Sequence, residues 1–433
     1  MLKIVKFGGT SLATAEQLQK VKNIVDADPA RRVIVPSAPG KAHKEDTKVT
    51  DLLYLVHELA AMKQSIDQVW TKIMDRFNGI ISELGLDMNL SKEFEEIRKK
   101  LIEGVDSQYM ASRGEALNGR IVAAYLDAEY IDAADVIKIA SNGRAHPSSY
   151  DLIRKLCPDD TRRYVIPGFY GSTTSGEVAT FSRGGSDVTG AIVANALDAD
   201  VYENWTDVSG FLMTDPRIVA SAKHIENITY TELRELSYMG AGVLHEEAVF
   251  PIREKGIPIN IRNTNNPEDK GTMIVADRDS SSQKIVGIAG QKGFSVFYIE
   301  KAMMNEEIGF GRRVLDVFEH LGISYEHMPS GIDTVSVVVK TTKINGKMDQ
   351  IMEDLNRLKI DNLKVLENMS LIATVGKGMN HVIGLAAKLF MALAEADINI
   401  RMIDQGSSEQ NIIVGVEEKD HEKAIKAIYT TFA

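Results

Sequence analysis

The sequence predicts an α/β protein. A three-layer domain with a mostly parallel sheet between helices precedes a smaller, duplicated region. Three observations lead to this fold class. Short apolar segments ending in Gly, Pro or Ser alternate with helical patterns up to residue 280. A gapless internal repeat follows, and a polar stretch at 262–283, rich in Asn, Asp, Ser and Gly, separates the two parts. Strands that alternate with helices favour a parallel sheet.

The first strands are expected at 2–7 and 32–36, with a helix over 14–27 between them. Their apolar runs are typical of parallel strands that are buried on both faces. Residues 40–50 are polar and predict a mobile loop, whereas 51–125 carry long helical patterns. Further strands are predicted at 164–167, 200–203 and 257–261. In such a sheet, functional loops gather at the carboxyl ends of the strands.

The internal repeat appears when residues 294–339 are shifted by 75 positions onto 369–414. Matched pairs include Ser295 with Ser370, Ile308-Gly309 with Ile383-Gly384, and Gly331 with Gly406. Each copy has the pattern strand, glycine turn, helix, strand, turn, strand. Such a duplication predicts a small-ligand or dimerisation module, and we place the domain boundary near residue 280.

The composition excludes several classes of protein. The formal net charge of −11 over 433 residues argues against nucleic acid as the main partner, because phosphate binding needs a basic surface. The single cysteine, Cys157, allows no intrachain disulfide and fits a reducing compartment. The N-terminus lacks the apolar core of a signal peptide, and no run of about 18 apolar residues is present. We therefore expect a cytoplasmic enzyme or binding protein with no membrane partner.

The segment 5-VKFGGTS-11 places Lys6 at the end of the first predicted strand, shortly before Gly8-Gly9. Glycines let backbone N–H groups approach an anion closely, and the next helix adds a favourable dipole. Thr10 and Ser11 are predicted to cap that helix. The residues alone leave two interpretations open: a phosphate site, or a tight turn beside a solvated lysine.

A second glycine turn lies in 180-TFSRGGSDVTG-190. Ser186 or Asp187 would be ordinary N-caps of the apolar helix that follows. Arg183, directly before the two glycines, is less ordinary. A guanidinium beside a helix N-terminus suits a carboxylate or a phosphate.

Two further segments have a structural and a functional interpretation. The segment 203–217 is either a turn-rich loop or a holder of a nucleotide and its metal. Its polar residues are Thr206, Asp207, Thr214, Asp215 and Arg217. The segment 112-SRGE-115 is predicted to begin a helix, where Glu115 would complete a capping box with Ser112 or orient an ammonium group.

Several motifs are absent from the sequence. There is no phosphate-binding G-x-x-x-x-G-K-[ST] loop, and the glycines at 376 and 378 lack the third glycine of a dinucleotide fingerprint. His245 and Glu246 stand in a pattern one residue short of a zinc motif. No Cys/His cluster indicates a zinc site, and we assign no metal-binding residue.

In order and spacing, these segments resemble the amino-acid kinase family, and within it the aspartate kinases. The matching stretches are K-F-G-G-T-S at 6–11, S-R-G-E at 112–115, P-G-F-Y-G at 167–171, F-S-R-G-G-S-D at 181–187 and W-T-D-V-S-G…T-D-P-R at 205–217. The resemblance covers the whole chain. It implies an amino-acid kinase fold and phosphorylation of the L-aspartate β-carboxylate, with ATP and Mg²⁺, to 4-phospho-L-aspartate. This is the first step of lysine, threonine and methionine synthesis.

The resemblance also implies roles for individual residues. Lys6 would neutralise the transferred phosphoryl group, Glu115 would hold the aspartate ammonium, and Arg183 its α-carboxylate. Asp187 would orient Lys6. The implied aspartate pocket contains Ser37, Thr50, Phe169 and Ser186, and the implied nucleotide side contains Gly8, Gly9, Thr206, Asp207 and Arg217. A carboxylate is already ionised at pH 7, so positioning and cations would do the work without a general base.

Two positions depart from the family pattern. Gly242 stands where relatives commonly have a lysine, and Leu212 where a tyrosine is frequent. If that lysine contacts the ATP phosphates in relatives, this chain either lacks the contact or supplies it from another residue. Lys255 and Arg253 are the candidates.

The C-terminal repeat resembles the paired ACT modules of the family, which are ferredoxin-like βαββαβ units. The implied domains are a kinase domain over 1–280 and a regulatory domain over 284–433. The first module would cover about 294–360, and the second about 363–433 plus a strand near 284–290. The implied effector site contains Met303, Met304, Ser324, Tyr325 and Glu326. We expect lysine as the feedback inhibitor, with threonine second, and a homodimer or possibly a tetramer.

Two other functions stay open at this point. One is a different amino-acid kinase, acting on glutamate or on a nucleoside monophosphate. The other is a catalytically inactive amino-acid sensor, which the glycine at 242 keeps in consideration.

Overall fold

The computed structural model describes residues 1–158, 161–182, 184–242, 244, 248–281, 283–380 and 382–433. They form two compact units. The first unit comprises Met1–Phe211, His224–Tyr230 and Val243–Arg278. The second comprises Leu212–Lys223, Thr231–Gly242 and Asp279–Ala433. No helix within these ranges is long and apolar enough to cross a membrane.

Up to residue 278 the chain alternates strands with helices. The strands are β1 (Lys3–Phe7), β2 (Arg31–Pro36), β3 (Glu129–Tyr130), β4 (Tyr164–Val165), β5 (Tyr170–Ser172), β6 (Val178–Thr180), β7 (Val201–Thr206), β8 (Asn227–Thr229), β9 (Ile259–Asn263) and β10 (Thr272–Val275). The helices are α1 (Ala15–Asp26), α2 (Val49–Ala61), α3 (Asp67–Glu83), α4 (Ser91–Ile102), α5 (Ser107–Leu126), α6 (Ala133–Val136), α7 (Ser148–Leu156), α8 (Gly185–Ala196), α9 (Tyr230–Tyr238) and α10 (Phe250–Arg253).

In the first unit, eight of these strands form one sheet in the order β3-β4-β2-β1-β7-β9-β10-β8. Strands β9 and β10 are antiparallel, and the other neighbouring pairs are parallel. The predicted mostly parallel sheet is therefore confirmed. Strand β1 lies between β2 and β7, so the strand order reverses at β1. A crevice at the carboxyl ends of the strands is expected at such a switch point.

The two faces of β1 explain the layers of this unit. Successive side chains of a strand point to opposite faces. Val5 and Phe7 face one side, in a buried cluster with Leu18 of α1, Leu53 of α2 and Met110 of α5. Ile4 and Lys6 face the other side, where α8 packs on the sheet. Helices on both faces give the predicted three-layer arrangement.

Three predicted helix starts differ from the structure. Thr14, rather than Thr10 or Ser11, caps α1, and its hydroxyl accepts the N–H of Gln17 at 3.3 Å. Helix α5 begins at Ser107 with Asp106 as its N-cap, so 112–115 lies inside the helix and forms no capping box. Gly184, with φ of 72°, is the N-cap of α8, which places Ser186 and Asp187 in the first turn.

The second unit contains an antiparallel sheet flanked by helices. Its strands are β11 (Gly287–Glu300), β12 (Thr334–Lys340), β13 (Asn362–Val375), β14 (Met402–Asp404) and β15 (Asn411–Glu417), in the order β12-β11-β13-β15-β14. Its helices after residue 279 are α11 (Phe310–His320), α12 (Thr341–Ile344), α13 (Met348–Asn356), α14 (Leu385–Glu395) and α15 (His421–Phe432).

The internal repeat is visible in this unit. Helices α11 and α14 have the same length, and both of their ends lie 75 residues apart. Each follows a left-handed glycine N-cap, Gly309 with φ of 77° and Gly384 with φ of 84°. Glycine is the residue that adopts this backbone conformation without a steric penalty. The second strand expected in the first copy is reduced to isolated bridges at His327 and Ser330.

Strands β11 and β13 extend through both copies. The first half of β11, Gly287–Lys292, pairs with Ser370–Val375 of β13. The second half, from Phe294 onward, pairs with β12 and with the first half of β13. The register shifts between Lys292 and Phe294, and again between Phe294 and Val296. The strand near 284–290 therefore pairs with the second copy and leads directly into the first.

Candidate active site

Lys6 is held by two side chains at the centre of the first unit. Strands β1 and β7 pair in register with Lys6 opposite Asn204, so both side chains point toward the first turn of α8. The Lys6 ammonium lies 2.6 Å from Oδ1 of Asp187 and 3.4 Å from Oδ1 of Asn204. The Asn204 amide donates to the same Asp187 oxygen at 2.9 Å. The sequence did not single out Asn204, because only the β1–β7 register places it beside Lys6.

This arrangement fixes a cation at the carboxyl edge of the sheet. Lys6, Asp187 and Asn204 are each less than a tenth exposed, so the interpretation of Lys6 as a solvated lysine is wrong. The Tyr202 hydroxyl donates to the main-chain oxygen of Asp187 at 3.1 Å and holds the turn in place. A buried ion pair with such additional hydrogen bonds keeps its geometry, because the cost of leaving either charge unpaired is high.

The glycines after β1 permit a close approach between two loops. Gly40 donates its N–H to the oxygen of Gly9 at 2.8 Å. A Cβ on Gly40 would lie 2.6 Å from the carbonyl carbon of Gly9, closer than side-chain carbons pack. A Cβ on Gly9 would lie 3.0 Å from the oxygen of Ala38. The loop after β1 and the loop after β2 therefore pack backbone against backbone beside Lys6.

Glu115 presents a buried carboxyl group with an unpartnered oxygen. The residue is 5% exposed, and its Oε2 has no hydrogen-bond partner among the described residues. Burial raises the pKa of the Glu115 carboxyl to about 8, although a hydrogen bond from the N–H of Ala38 opposes that shift. A buried acceptor without a donor is costly, so its position indicates a ligand that donates hydrogen bonds.

Asn118 lies three residues after Glu115 and therefore on the same face of α5. It is fully buried, and its amide donates to the main-chain oxygen of Ser37 at 2.7 Å. Ser37 itself follows β2 and donates its N–H to Phe7 at 3.1 Å. The sequence analysis missed Asn118, although polar residues at 112, 115 and 118 of a largely buried helix were the available signal.

Phe169 and Ser186 lie next to each other at the loop after β4. Phe169 has φ of 74°, a left-handed conformation that is unfavourable for an aromatic residue. Its N–H donates to the hydroxyl of Thr189 at 3.2 Å, which stabilises the strained backbone. A Cβ on Gly168 would lie 2.6 Å from the hydroxyl oxygen of Ser186. Backbone strain of this kind is concentrated at functional sites.

Of the other predicted pocket residues, Thr50 lies in the first turn of α2 and is partly buried. The loop before it is held by Arg76, which donates to the oxygen of Gly40 at 3.1 Å and pairs with Asp46. Arg183, predicted to bind a carboxylate, lies outside the described residues.

Comparison with known proteins identifies the family of the chain. The profile of the amino acid kinase family matches residues 1–263, and an ACT domain profile matches 372–432. The chain is 42% identical to aspartokinase 3 of Bacillus subtilis, covering 100% of this chain and 98% of that protein. The crystal structure of Clostridium acetobutylicum aspartate kinase superposes with a TM-score of 0.96 at 51% identity, covering all of both chains.

The chain belongs to the aspartate kinase branch of the amino acid kinase family. A more distant member, Escherichia coli aspartokinase III, covers 100% of this chain at 25% identity. Its crystal structures contain aspartate with ADP in the R-state and lysine with aspartate in the T-state, and they superpose with TM-scores of 0.77 and 0.78.

On the implied nucleotide side of this aspartate kinase, Thr206 ends β7 and its hydroxyl donates to Asp207 at 3.3 Å. Asp207 is exposed at the carboxyl edge of the sheet. Arg217 belongs to the second unit, where Asp215 holds its guanidinium at 2.6 Å and leaves the side chain 89% exposed. That pairing lowers the pKa of the Asp215 carboxyl.

The suggested replacement of the family lysine by Lys255 does not agree with the structure of this kinase. The Lys255 ammonium donates to the main-chain oxygen of Asn195 at 2.7 Å and pairs with Asp198. Both partners lie at the C-terminal end of α8. Twelve helical residues separate that end from the glycine turn, a distance of about 17 Å along the helix axis. Lys255 therefore lies at the C-terminal end of α8, at the opposite end of the helix from the glycine turn.

The predicted effector residues of the kinase lie around the turn before α11 and the segment before β12. Met303 has φ of 60° and is exposed, whereas Met304 packs against the core of the first copy. Lys343 donates to the hydroxyl of Ser324 and lies 3.8 Å from a carboxylate oxygen of Glu326. Tyr325 is half exposed.

Proposed function

We propose that this aspartate kinase transfers the γ-phosphoryl group of ATP to the β-carboxylate of L-aspartate and releases 4-phospho-L-aspartate and ADP. The observation that carries the proposal is the buried cation of Lys6, fixed by Asp187 and Asn204 at the carboxyl edge of the parallel sheet. The aspartate and ADP in the Escherichia coli relative support this assignment.

The chemistry needs a fixed cation more than a base. Both substrates are anions, and a carboxylate attacks phosphorus without losing a proton first. Lys6 neutralises the oxygens of the transferred phosphoryl group. The ion pair with Asp187 keeps the Lys6 ammonium from moving with the substrate. Preorganised charges of this kind lower the barrier because they need no rearrangement during the reaction.

Glu115 binds the α-ammonium group of aspartate in this proposal. Its unpartnered Oε2 is the acceptor that an ammonium would satisfy. Binding of that cation favours the ionised carboxylate, so the raised pKa of Glu115 falls when aspartate enters. Arg183 binds the α-carboxylate, and Ser37, Thr50, Phe169 and Ser186 complete the pocket.

The nucleotide lies against Gly8, Gly9, Thr206 and Asp207 of the first unit in this proposal, and Arg217 stays assigned to ATP binding by the family resemblance alone. No group of three His, Cys, Asp or Glu side chains in the described part of the chain is arranged to hold a metal. A site with a single carboxylate fits a Mg²⁺ ion that arrives with the nucleotide. Mg²⁺ commonly takes one or two protein carboxylates and fills its remaining positions with phosphates and water. The exposed Asp207 carboxylate is the protein ligand we assign to it, and the ion would neutralise phosphate charge.

Regulation is assigned to the second unit. We propose a kinase domain over 1–280 and two ACT modules over 284–433. An end-product amino acid binds near Met303, Met304, Ser324, Tyr325 and Glu326 and inhibits the kinase. Lysine is the first candidate, supported by the lysine-bound T-state of the Escherichia coli relative, and threonine is the second. We propose a cytoplasmic homodimer, with a tetramer as the alternative.

A hydroxamate assay for acyl phosphate tests the proposal. The full chain is incubated with ATP, Mg²⁺ and either L-aspartate, L-glutamate or a nucleoside monophosphate. Of the three acceptors, we expect only L-aspartate to give product. Lys6→Ala should lower kcat by at least about 1,000-fold. Product with glutamate instead would assign a different amino-acid kinase. Binding of amino acids without any product would assign an inactive sensor, and equal activity of Lys6→Ala would refute the role of Lys6.

A further inference from the structure

The second unit contains a cavity of about 520 Å³ outside the predicted effector region. It is built by the turn before α14, the segment before β11, the end of α15 and the 212–223 segment. The lining residues are Met213, Lys223, Gln283, Lys284, Ile285, Val382, Ile383, Leu385, Lys388, Phe432 and Ala433. A volume of this size accommodates a small organic molecule.

The charge around this cavity is positive. Lys223, Lys284 and Lys388 lie on its wall, and none of the described residues that line it is Asp or Glu. None of the three ammonium groups forms a hydrogen bond or ion pair with a residue that the structure describes. The net charge of the chain is −11, so a cluster of three cations without a lining carboxylate is a local departure from its overall charge. The three lysines are exposed to solvent at the rim of one concave surface, where their combined charge would attract an anion.

The floor of the cavity is apolar. Ile285 and Leu385 are buried, and Met213 and Phe432 extend the apolar surface. Ile383 is fully exposed at the rim, which is unusual for a large aliphatic side chain. Removing such surface from water gains free energy in proportion to its area. A purely inorganic anion would leave this apolar surface in contact with water.

The main-chain geometry adds a second source of positive potential. Helix α14 starts at the cavity after Gly384, and no side chain caps its N-terminus. The free N–H groups of a first helical turn and the helix dipole favour negative charge. The 212–223 segment is anchored here, because Met213 accepts the N–H of Ile288 at 2.6 Å and donates its own N–H to Lys223 at 2.8 Å.

We propose that this cavity binds an organic anion: a carboxylate or phosphate group held by Lys223, Lys284 and Lys388, attached to an apolar body that packs on Leu385 and Phe432. The site differs from the predicted effector region, since its walls come from the second copy of the repeat and from the 212–223 segment. The anion also contacts the segment that carries Arg217.

Calorimetric titration of the full chain tests this site with three probes. Phenyl phosphate and hexanoate carry a charged group and an apolar body, and inorganic phosphate carries charge alone. We expect phenyl phosphate or hexanoate to bind at least about tenfold more tightly than inorganic phosphate, and binding to weaken as salt rises. The tighter of the two organic probes identifies the charged group. Equal affinity for phenyl phosphate and inorganic phosphate would overturn the apolar half of the proposal.

Matched variants locate the binding. The double variant Lys223→Gln/Lys388→Gln should weaken binding of the tighter probe by about tenfold or more, because two charge-assisted contacts are lost. Phe432→Ala should weaken binding through the apolar body alone. Lys423→Gln/Lys426→Gln, on the exposed side of α15 in the same unit, is the control and should bind normally. Unchanged binding in the first double variant, or no binding of any probe at roughly 10 mM, would overturn the proposal.

Discussion

Asn204 and Asp187 are joined by a hydrogen bond of 2.9 Å, and the acceptor oxygen is the one that lies 2.6 Å from the ammonium of Lys6. The amide thus supports the carboxylate that holds the cation, and its own oxygen reaches Lys6 at 3.4 Å. Asn204 acts on the reaction through Lys6 and is a positioning residue.

Replacement of Asn204 tests this role. Asn204→Leu removes both hydrogen bonds at nearly constant volume, and we expect kcat to fall by about 10- to 100-fold with little change in the KM for aspartate. Tyr202→Phe is the control, since it removes only the bond to the main chain of Asp187 and should reduce kcat less. Steady-state kinetics with a thermal melt of each variant make the comparison. A rise in KM alone would contradict a role exerted through the transferred phosphoryl group.

The Lys6–Asp187 pair should behave non-additively in stability. Asp187→Leu leaves a buried ammonium without its partner, and Lys6→Met leaves a buried carboxylate. Each single change should lower the free energy of unfolding by about 3 kcal/mol. The double variant Lys6→Met/Asp187→Leu leaves neither charge and should recover most of that loss while staying inactive. Urea unfolding of the four proteins measures the coupling, and additive losses would argue against a tight pair.

The raised pKa of Glu115 predicts how aspartate binding depends on pH. Only the ionised carboxylate attracts the substrate ammonium, and the carboxyl of the free enzyme has a pKa of about 8. The KM for aspartate should therefore fall by up to about tenfold per pH unit between pH 6 and 8 and level off above. Glu115→Gln should raise the KM and remove this dependence. A KM of the parent enzyme that stays constant from pH 6 to 8 would be inconsistent with the assigned role.

The raised pKa of Glu115 also predicts that the folded protein loses stability at the pH where this carboxylate ionises to bind aspartate. The Glu115 pKa is higher in the folded state, about 8, than its ordinary value of 4.5. The stabilisation of the folded state by the protonated Glu115 carboxyl is therefore complete below pH 4.5 and is lost as the pH rises toward 8. Glu115→Gln carries no charge to desolvate, so it should melt at a higher temperature than the parent at pH 8, with a smaller difference at pH 5. An identical shift at both pH values would rule out titration as the cause.

Substitutions of the loop glycines should differ in severity. Gly40→Ala places a methyl group against the backbone of Gly9 and should destabilise the protein by about 1–3 kcal/mol while displacing the loop beside Lys6. In Gly8→Ala the new methyl group meets its nearest atoms, the Lys6 nitrogen and the main-chain oxygen of Trp205, at an ordinary 3.6 Å, and the variant should fold normally. Melting temperatures and kcat for both variants test the contrast, and equal stability would show that the loops separate freely.

Sequence patterns predicted those features of the fold that depend on residues close together in the chain. The sheet class and the repeat followed from the sequence patterns, and the prediction that Asp187 holds Lys6 agrees with their 2.6 Å ion pair. Three helix starts were predicted wrongly because several polar residues compete as caps. Thr14 is the N-cap of α1 in place of Ser11, whose hydroxyl forms a hydrogen bond of 2.8 Å with the hydroxyl of Thr264.

Long-range relationships could not be predicted from the sequence. Asn204 meets Lys6 only through the register of two strands that lie about 200 residues apart in the chain. The grouping of Leu212–Lys223 and Thr231–Gly242 with the second unit depends on tertiary contacts. Lys255 illustrates the same limit, because proximity in sequence to Gly242 suggested a role that its partner Asp198 excludes.

The uninterrupted course of β11 and β13 has a mechanical consequence. The two copies of the repeat share main chain, so sliding one copy along the other would break ladder hydrogen bonds on both strands at once. Repacking of side chains alone would not permit it. Bending is therefore expected at the register shifts beside Phe294, where the ladder of hydrogen bonds is already interrupted. The two copies are therefore expected to change orientation together when a ligand binds to one of them, and hydrogen exchange along β11 would locate the bend.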